Sequence, residues 1–330
     1  MKYFSTRNKN LNHSFKEVFL RGLAPDGGLF IPKKLKVYNS SELEELSKLK
    51  YTDLATEIIS NFCVPDIEKT KLKELIERAY KSFSLEDVVA IKRVGNLNIL
   101  ELYHGPTLAF KDIAMQVIGN IYNEFISKDK KTVNIIVATS GDTGSAAISA
   151  LSGKENINVF VLHPHNKISN IQRKIMTTIG SSNVHNIAIK GSFDDCQALV
   201  KQALADNRLS AAHRFSSANS INIGRLLPQS TYYVDSSLRY FRRTGIKPGY
   251  IIPTGNLGNG LSCYISKQMG LPINDIIFAC NKNSNLNNYL KYDIIPKKKS
   301  IRTLANAIDI INPSNFERLE CLINKYNNNI

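Results

Sequence analysis

A lysine stands at position 111 in the segment Gly105-Pro106-Thr107-Leu108-Ala109-Phe110-Lys111-Asp112, just past a Gly-Pro turn. An apolar stretch with strand character, Asn98 to Tyr103, precedes it, and a helical pattern from Phe110 to Phe125 follows. Lys111 therefore falls in the first turn of a helix beside a strand end. The positive end of a helix dipole and partial burial both disfavour an ammonium. A lysine with a lowered pKa can form a Schiff base with an aldehyde, which makes Lys111 a candidate anchor for pyridoxal phosphate. The competing reading is a lysine that snorkels from a helix surface, as most lysines do.

Two further strand-to-helix turns have chemical potential. Thr139-Ser140-Gly141-Asp142-Thr143-Gly144 follows the apolar run Ile135 to Ala138, and Gly255-Asn256-Leu257-Gly258-Asn259-Gly260 follows Tyr250 to Pro253. A small-residue loop that opens a helix offers free backbone N–H groups and the helix dipole to an anion. Glycines permit close approach and supply the positive φ of a nest. The hydroxyls of Ser140 and Thr143 add donors suited to a carboxylate or phosphate oxygen. Taken singly, each loop reads more readily as an ordinary capped turn. Neither matches the P-loop or the G-x-G-x-x-G fingerprint. Three such turns after three strands are far more specific than any one. His163-Pro164-His165 lacks a spaced Asp, Glu or Cys and reads as a turn rather than a metal site. His104, seven residues before Lys111, reads as a turn histidine or as a second group in the same cleft.

These turns need elements to hold them. Residues 1–95 read as mostly helical after a short irregular start, with a turn at Pro25-Asp26-Gly27-Gly28 and a short extended piece at Leu29-Phe30-Ile31-Pro32. Ser40 is placed as the cap of one helix, with Glu44 and Glu45 in its first turns, and Lys69 to Phe83 as another. From about residue 96 short apolar strands alternate with helices: Asn98–Tyr103, Val133–Ala138, Asn158–Leu162, His185–Ile189, Tyr250–Pro253 and Ile276–Cys280. Ser169–Thr178, Phe193–Ala205 and Ile221–Tyr240 are the helical stretches between. This alternation predicts an α/β fold of parallel βαβ units, in which ligands bind beyond the carboxyl ends of the strands.

Bulk properties narrow the classes. The chain has 330 residues, 43% hydrophobic and 22% charged, enough for two domains. No segment approaches the ~18 uncharged apolar residues of a membrane span. The five cysteines (Cys63, Cys196, Cys263, Cys280, Cys321) form no C-x-x-C pair, so neither zinc nor a disulfide framework is indicated, and a reducing cytoplasm fits. The net charge of +15 is spread along the chain. Its densest run, Lys297-Lys298-Lys299, lacks interleaved aromatics and reads as a solvated loop, not a nucleic-acid surface. The polar start, Met1 to Phe15, is not a secretory signal.

In this order the motifs resemble those of the threonine synthase family, pyridoxal-phosphate enzymes of the tryptophan-synthase-β structural class (fold type II). Ser5-Thr6-Arg7 and Gly22 to Leu29 resemble its opening, His104 to Asp112 its Schiff-base segment, and Ala138 to Gly144 its substrate loop. Asn219-Ser220-Ile221-Asn222-Ile223-Gly224-Arg225-Leu226-Leu227-Pro228-Gln229 and Pro253 to Asn259 resemble two further signatures. The resemblance covers about residues 2 to 320. It implies two parallel-sheet βαβ domains with an N-terminal extension: 1–95 the helical extension, 96–215 the smaller domain with Lys111, and 216–330 the larger domain with the phosphate loop. Family members continue past the segment matching Asn306 to Leu319, so the last part of the larger domain is expected to be missing and an apolar sheet face exposed.

The implied reaction converts O-phospho-L-homoserine and water to L-threonine and phosphate. Lys111 would be the catalytic amine and bind pyridoxal 5'-phosphate, with Asp142 near the cofactor and Gly255, Asn256, Leu257, Gly258 and Asn259 around its phosphate. Thr139, Ser140, Gly141, Thr143, Asn222 and Arg225 would bind substrate, Arg225 either at the leaving phosphate or as a pin between domains. No metal, membrane or nucleic acid enters, and a cytoplasmic monomer or homodimer is implied. Two readings compete: a related lyase such as a serine or threonine dehydratase, and a non-catalytic relative.

Overall fold

The computed structural model describes residues 1–292 and 300–327. The run Lys297-Lys298-Lys299 and the final Asn328-Asn329-Ile330 lie outside the described residues.

The start of the chain is not irregular. Strand β1 (Tyr3–Ser5) lies between β2 (Asn8–His13) and β3 (Phe30–Pro32) in an antiparallel sheet. The exposed run Asn-Lys-Asn-Leu-Asn-His of β2 has no apolar face to announce a strand, whereas β1 and β3 are buried throughout. Helix α1 (Phe15–Arg21) begins with a reciprocal cap between Ser14 and Glu17. Helix α2 (Ser40–Leu46) is capped by Asn39, not Ser40: Asn39 Oδ1 accepts from Glu42 N, and Glu42 Oε2 accepts from Asn39 N. The box needs a Glu three residues on; Asn39 has Glu42 there, whereas Ser40 has Leu43. Helices α3 (Tyr51–Cys63) and α4 (Lys69–Tyr80) complete the extension.

Strands β4 (Ala90–Val94) and β5 (Leu97–Glu101) form an antiparallel hairpin that turns at Gly95. The stretch before Lys111 is therefore a hairpin arm and not a member of a parallel sheet, because the two-residue Gly95-Asn96 turn fixes antiparallel pairing. Helix α5 (Lys111–Asp129) leads into the parallel series β6 (Val133–Ala138), α6 (Asp142–Leu151), β7 (Ile157–Pro164), α7 (Asn170–Thr178), β8 (Val184–Ile189), α8 (Phe193–Ala205), α9 (Asn207–His213) and β9 (Phe215–Ser216). The strands pair in the order β8-β7-β6-β9, all parallel. A 3-10 turn at Ile223–Arg225 opens α10 (Leu226–Thr244), followed by β10 (Tyr250–Pro253), α11 (Gly258–Gln268) and β11 (Ile276–Ala279). β10 and β11 pair in parallel. Helices α12 (Leu286–Tyr292) and α13 (Phe316–Asn327) close the chain.

Helices α3, α4, α5 and α10 pack together, with Ile58, Leu75, Ile118, Tyr122 and Val234 in one continuous core with Ile135, Val137 and Val159 of the sheet. Each fully buried Ile or Leu contributes about 1.5–3 kcal/mol. The N-terminal sheet is tied to α13, where buried Arg318 donates to Phe30 O, Ser220 O and Ile221 O, and Arg7 pairs with Glu317 at 2.9 Å. Leu97, Ile99 and Ile251 are exposed along a groove between β5 and β10, and Ile277 on β11 is 54% exposed. No helix among the described residues is long and apolar enough to cross a membrane. No group of three His, Cys, Asp or Glu among them could hold a metal.

Candidate active site

Lys111 is the first residue of α5. The helix start is built by Asp112, whose fully buried carboxylate accepts from Thr107 N at 2.8 Å and Thr107 Oγ1 at 2.6 Å. Gly105 is required beside it, since a Cβ there would sit 2.4 Å from Asp112 Cβ. The Lys111 ammonium lies 4.4 Å from the Phe110 ring centroid and donates to Asp142 Oδ2 at 2.6 Å. Burial lowers the pKa of Lys111, outweighing the attraction of Asp142, and Arg225 adds to the lowering. Burial pushes Asp142 up, but the Lys111 charge and the Gln172 amide, which donates to Oδ1 at 2.5 Å, leave its pKa lowered overall.

The 139–144 loop is a tight turn between β6 and α6. Thr139 Oγ1 accepts from Gly141 N at 2.9 Å and Gly144 N at 2.8 Å. Gly141 adopts φ +138°, and the Gln172 side chain fills the place of its missing Cβ. Ser140 and Thr143 line a cleft with Lys111, and Ser140 Oγ donates to Ala307 O at 3.2 Å. Thr139 is corrected here: its hydroxyl is buried and staples the turn, so it has no place in the cleft. The Gly141 N–H is taken up by the same staple.

Across the cleft, residues 255–259 connect β10 to the N-terminus of α11. The positive φ in this loop is at Leu257 (+61°), not at a glycine. Burying a non-glycine residue in that conformation costs about 1 kcal/mol. Gly255 and Gly258 are needed for space: a Cβ would lie 3.0 Å from Ile308 Cα and 2.7 Å from Ser220 Cβ. Asn256 holds the loop through Gln197, Ser220 and Ser314, and Asn259 Oδ1 accepts from the hydroxyls of Tyr232 and Tyr233. The first N–H groups of α11 thus face the cleft with no intrahelical acceptor.

Arg225, from the 3-10 turn before α10, lines the same cleft. Its Nη1 donates to Ala218 O at 2.9 Å, its Nε has no partner, and burial pushes its pKa down to about 10. Asn222 is corrected: it is fully buried in a knot of hydrogen bonds to Phe19 O, Ser217 O, Tyr122 and Gly224 N, away from the cleft. The reading of the sequence missed Asn219, Ser220 and Gln229. Asn219 clamps the end of β6 by bonding both Ala138 N and Ala138 O, and Gln229 is 1% exposed with neither amide atom partnered. Both lie inside the Asn219–Gln229 signature, but nothing in their residue types separates them from Asn222. Gln172 was missed because it comes from a helix 30 residues after Asp142. His104 contacts Glu101 at 3.2 Å and does not line the cleft.

The cleft, about 640 Å³ counted to its open mouth, therefore joins Lys111, Ser140, Thr143, Arg225 and residues 255–259. The models of two families match the chain: threonine synthase N terminus over residues 2–80, and pyridoxal-phosphate dependent enzyme over residues 91–328. The chain belongs to the threonine synthase family. It is 42% identical to the threonine synthase of Eremothecium gossypii over 96% of its own length and 65% of that protein, and 39% identical to that of Pseudomonas aeruginosa over 97% and 68%. It superposes on the crystal structure of threonine synthase from Escherichia coli with a TM-score of 0.91 at 36% identity, covering 98% of this chain and 74% of that one. The crystal structure of the pyridoxal-phosphate-bound threonine synthase from Brucella melitensis gives 0.88 at 36% identity, covering 99% and 70%. The chain thus spans about two thirds of the length of the curated family members it matches. The α/β fold with parallel sheets is that of the family's fold type II members.

Proposed function

We propose that the chain binds pyridoxal 5'-phosphate at Lys111 and converts O-phospho-L-homoserine and water to L-threonine and phosphate by γ-elimination and β-addition. The observation that carries this is the meeting of a buried, pKa-lowered amine with an arginine whose Nε has no partner and a helix N-terminus in one cleft. The residues fit the cofactor: Gly255 and Gly258 leave room that a Cβ would fill, and Gln229 and Arg225 present buried polar atoms without partners. Gly255, Asn256, Leu257, Gly258 and Asn259 would hold its phosphate through backbone N–H groups. When bound, pyridoxal phosphate supplies an aldehyde that condenses with amines and a ring that withdraws electrons from the attached carbon.

Lys111 Nζ moves protons at the α and β carbons of the substrate, which requires a neutral amine near working pH. Its burial shifts it toward the neutral form, and Asp142, whose Oδ2 accepts from Nζ at 2.6 Å, orients the nitrogen. Ser140 and Thr143 bind the substrate carboxylate by their hydroxyls, with Gly141 shaping the loop. Arg225 neutralises the departing phosphate, a role its unpartnered Nε suits. The same proposal divides the chain into 1–95, 96–215 and 216–330, with the cleft at the join of the last two. It places the chain in the cytoplasm as a monomer or homodimer, with no nucleic-acid or membrane partner.

The test is release of phosphate from O-phospho-L-homoserine by cofactor-loaded protein, with threonine identified as the amino-acid product. Deamination of serine or threonine instead would establish the related-lyase reading. Cofactor binding without turnover of either would establish a non-catalytic relative.

A further inference from the structure

The reaction leaves His163-Pro164-His165 without a role, and in the structure these residues end β7 at a second cleft that shares no lining residue with the first. The second cleft takes His163, His165, Ser169, Asn170, Arg173 and Arg302. No Asp or Glu lines it among the described residues, and no ion pair holds Arg173 or Arg302. His163 is only 8% exposed, and its Nδ1 has no hydrogen-bond partner.

The helix that opens here makes the imbalance sharper. Ser169 and Asn170 at the N-terminus of α7 line this cleft, so the positive dipole end of that helix lies beside the same basic side chains, an unfavourable arrangement unless an anion sits between them. Helices α1, α2 and α8, capped by the same reciprocal box, carry Glu17, Glu42, and Asp194 with Asp195 in their first turns; α7 carries no acid there. The cleft gathers two guanidinium groups, two imidazoles and a dipole end, and supplies no negative charge of its own. A tetrahedral oxyanion satisfies all of them, since guanidinium groups and backbone N–H groups match its oxygens in geometry and charge.

We propose that this cleft is a binding site for phosphate-type oxyanions, separate from the Lys111 cleft. Such an anion is available either free or as a phosphate monoester. The test is calorimetric titration of cofactor-loaded protein with inorganic phosphate and in parallel with phenyl phosphate, a monoester without an amine; binding kept by an Arg173→Ala/Arg302→Ala double variant belongs to the Lys111 cleft, where Arg225 also meets phosphate, and only the binding lost counts for the second site. Tighter binding of phenyl phosphate there identifies monoesters as the source, and equal or tighter binding of inorganic phosphate identifies the free ion; both support the site. Arg173→Ala and Arg302→Ala, at exposed positions that folding does not depend on, should each weaken binding at least fivefold, while Lys247→Ala, an exposed lysine outside the cleft, leaves it unchanged. Cofactor absorbance should be the same in all three variants. Equal affinity in the wild type and in an Arg173→Ala/Arg302→Ala double variant, or no binding at millimolar phosphate, overturns the proposal.

Discussion

The two parallel sheets of this molecule are built from similar apolar strands and end up in opposite surroundings. In the four-stranded sheet, β6 and β7 are buried along most of their length, with Ile135, Val137, Val159 and Val161 inaccessible to solvent. In the two-stranded sheet only Ile252 of β10 is buried, and Ile251 and Ile277 lie 67% and 54% exposed. Parallel strands are normally covered on both faces. The inner strands β6 and β7 of the first sheet meet that rule, while its edge strand β8 is mostly exposed, and β6 fixes the Ser140–Gly144 loop through its own packing and the Asn219 clamp. The second sheet does not, and the 255–259 loop depends instead on α11, packed on α10, and on side chains such as Asn256, Asn315 and Ser220. One half of the site is held by a sheet and the other by a helix pair and a hydrogen-bond net.

The largest expected contrast is in stability. Ile135→Ala in β6 should cost about 2–5 kcal/mol by opening a cavity, whereas Ile277→Ala in β11 should change stability by less than about 1 kcal/mol, both read from urea midpoints. Equal losses would erase the distinction between the sheets.

A second contrast concerns α10, the helix that supports the weaker sheet. Asp235 is buried with one carboxylate oxygen unpartnered, and burial raises its pKa to about 6 against the pull of Arg239. A carboxyl raised in the folded state binds its proton more tightly there than in the unfolded chain. Stability is therefore fullest below the unfolded value and declines as pH rises from about 4 to about 6, by at most about 3 kcal/mol. Asp235→Asn should flatten that part of the pH–stability curve; an unchanged slope would contradict the assignment.

A smaller effect separates space from flexibility in the phosphate loop. Gly258→Ala should weaken cofactor binding about tenfold, equivalent to about 1.4 kcal/mol, because its Cβ meets Ser220 at 2.7 Å. Gly180→Ala, where nothing lies within 4 Å, should leave cofactor binding as it is. Binding isotherms followed by absorbance decide between them.

The comparison also explains what could be read in the sequence. Lys111 and the two glycine loops were legible because their chemistry depends on neighbours within a few residues: a strand end, a helix start, a small-residue turn. The parallel strands were legible from their apolar runs. Thr139 and Asn222 were misplaced because a hydroxyl or amide has the same character in a cleft and in a buried knot, and the partners that decide, such as Phe19 and Tyr122 for Asn222, lie about 100 to 200 residues away. Gln172, Gln229 and the clamp by Asn219 escaped for the same reason. Strand β2 was hidden by its polar composition, and the hairpin of β4 and β5 by an apolar arm that reads like any parallel strand.

The central claim is that Lys111 Nζ is the amine that engages the cofactor in this cleft. Adding pyridoxal phosphate to the purified wild-type chain should produce a visible absorption band, and reduction with borohydride should fix the cofactor to a peptide containing Lys111. Lys111→Ala, folded by circular dichroism, should give neither. A band of unchanged position and intensity in that variant, or reductive attachment at another lysine, would contradict the account.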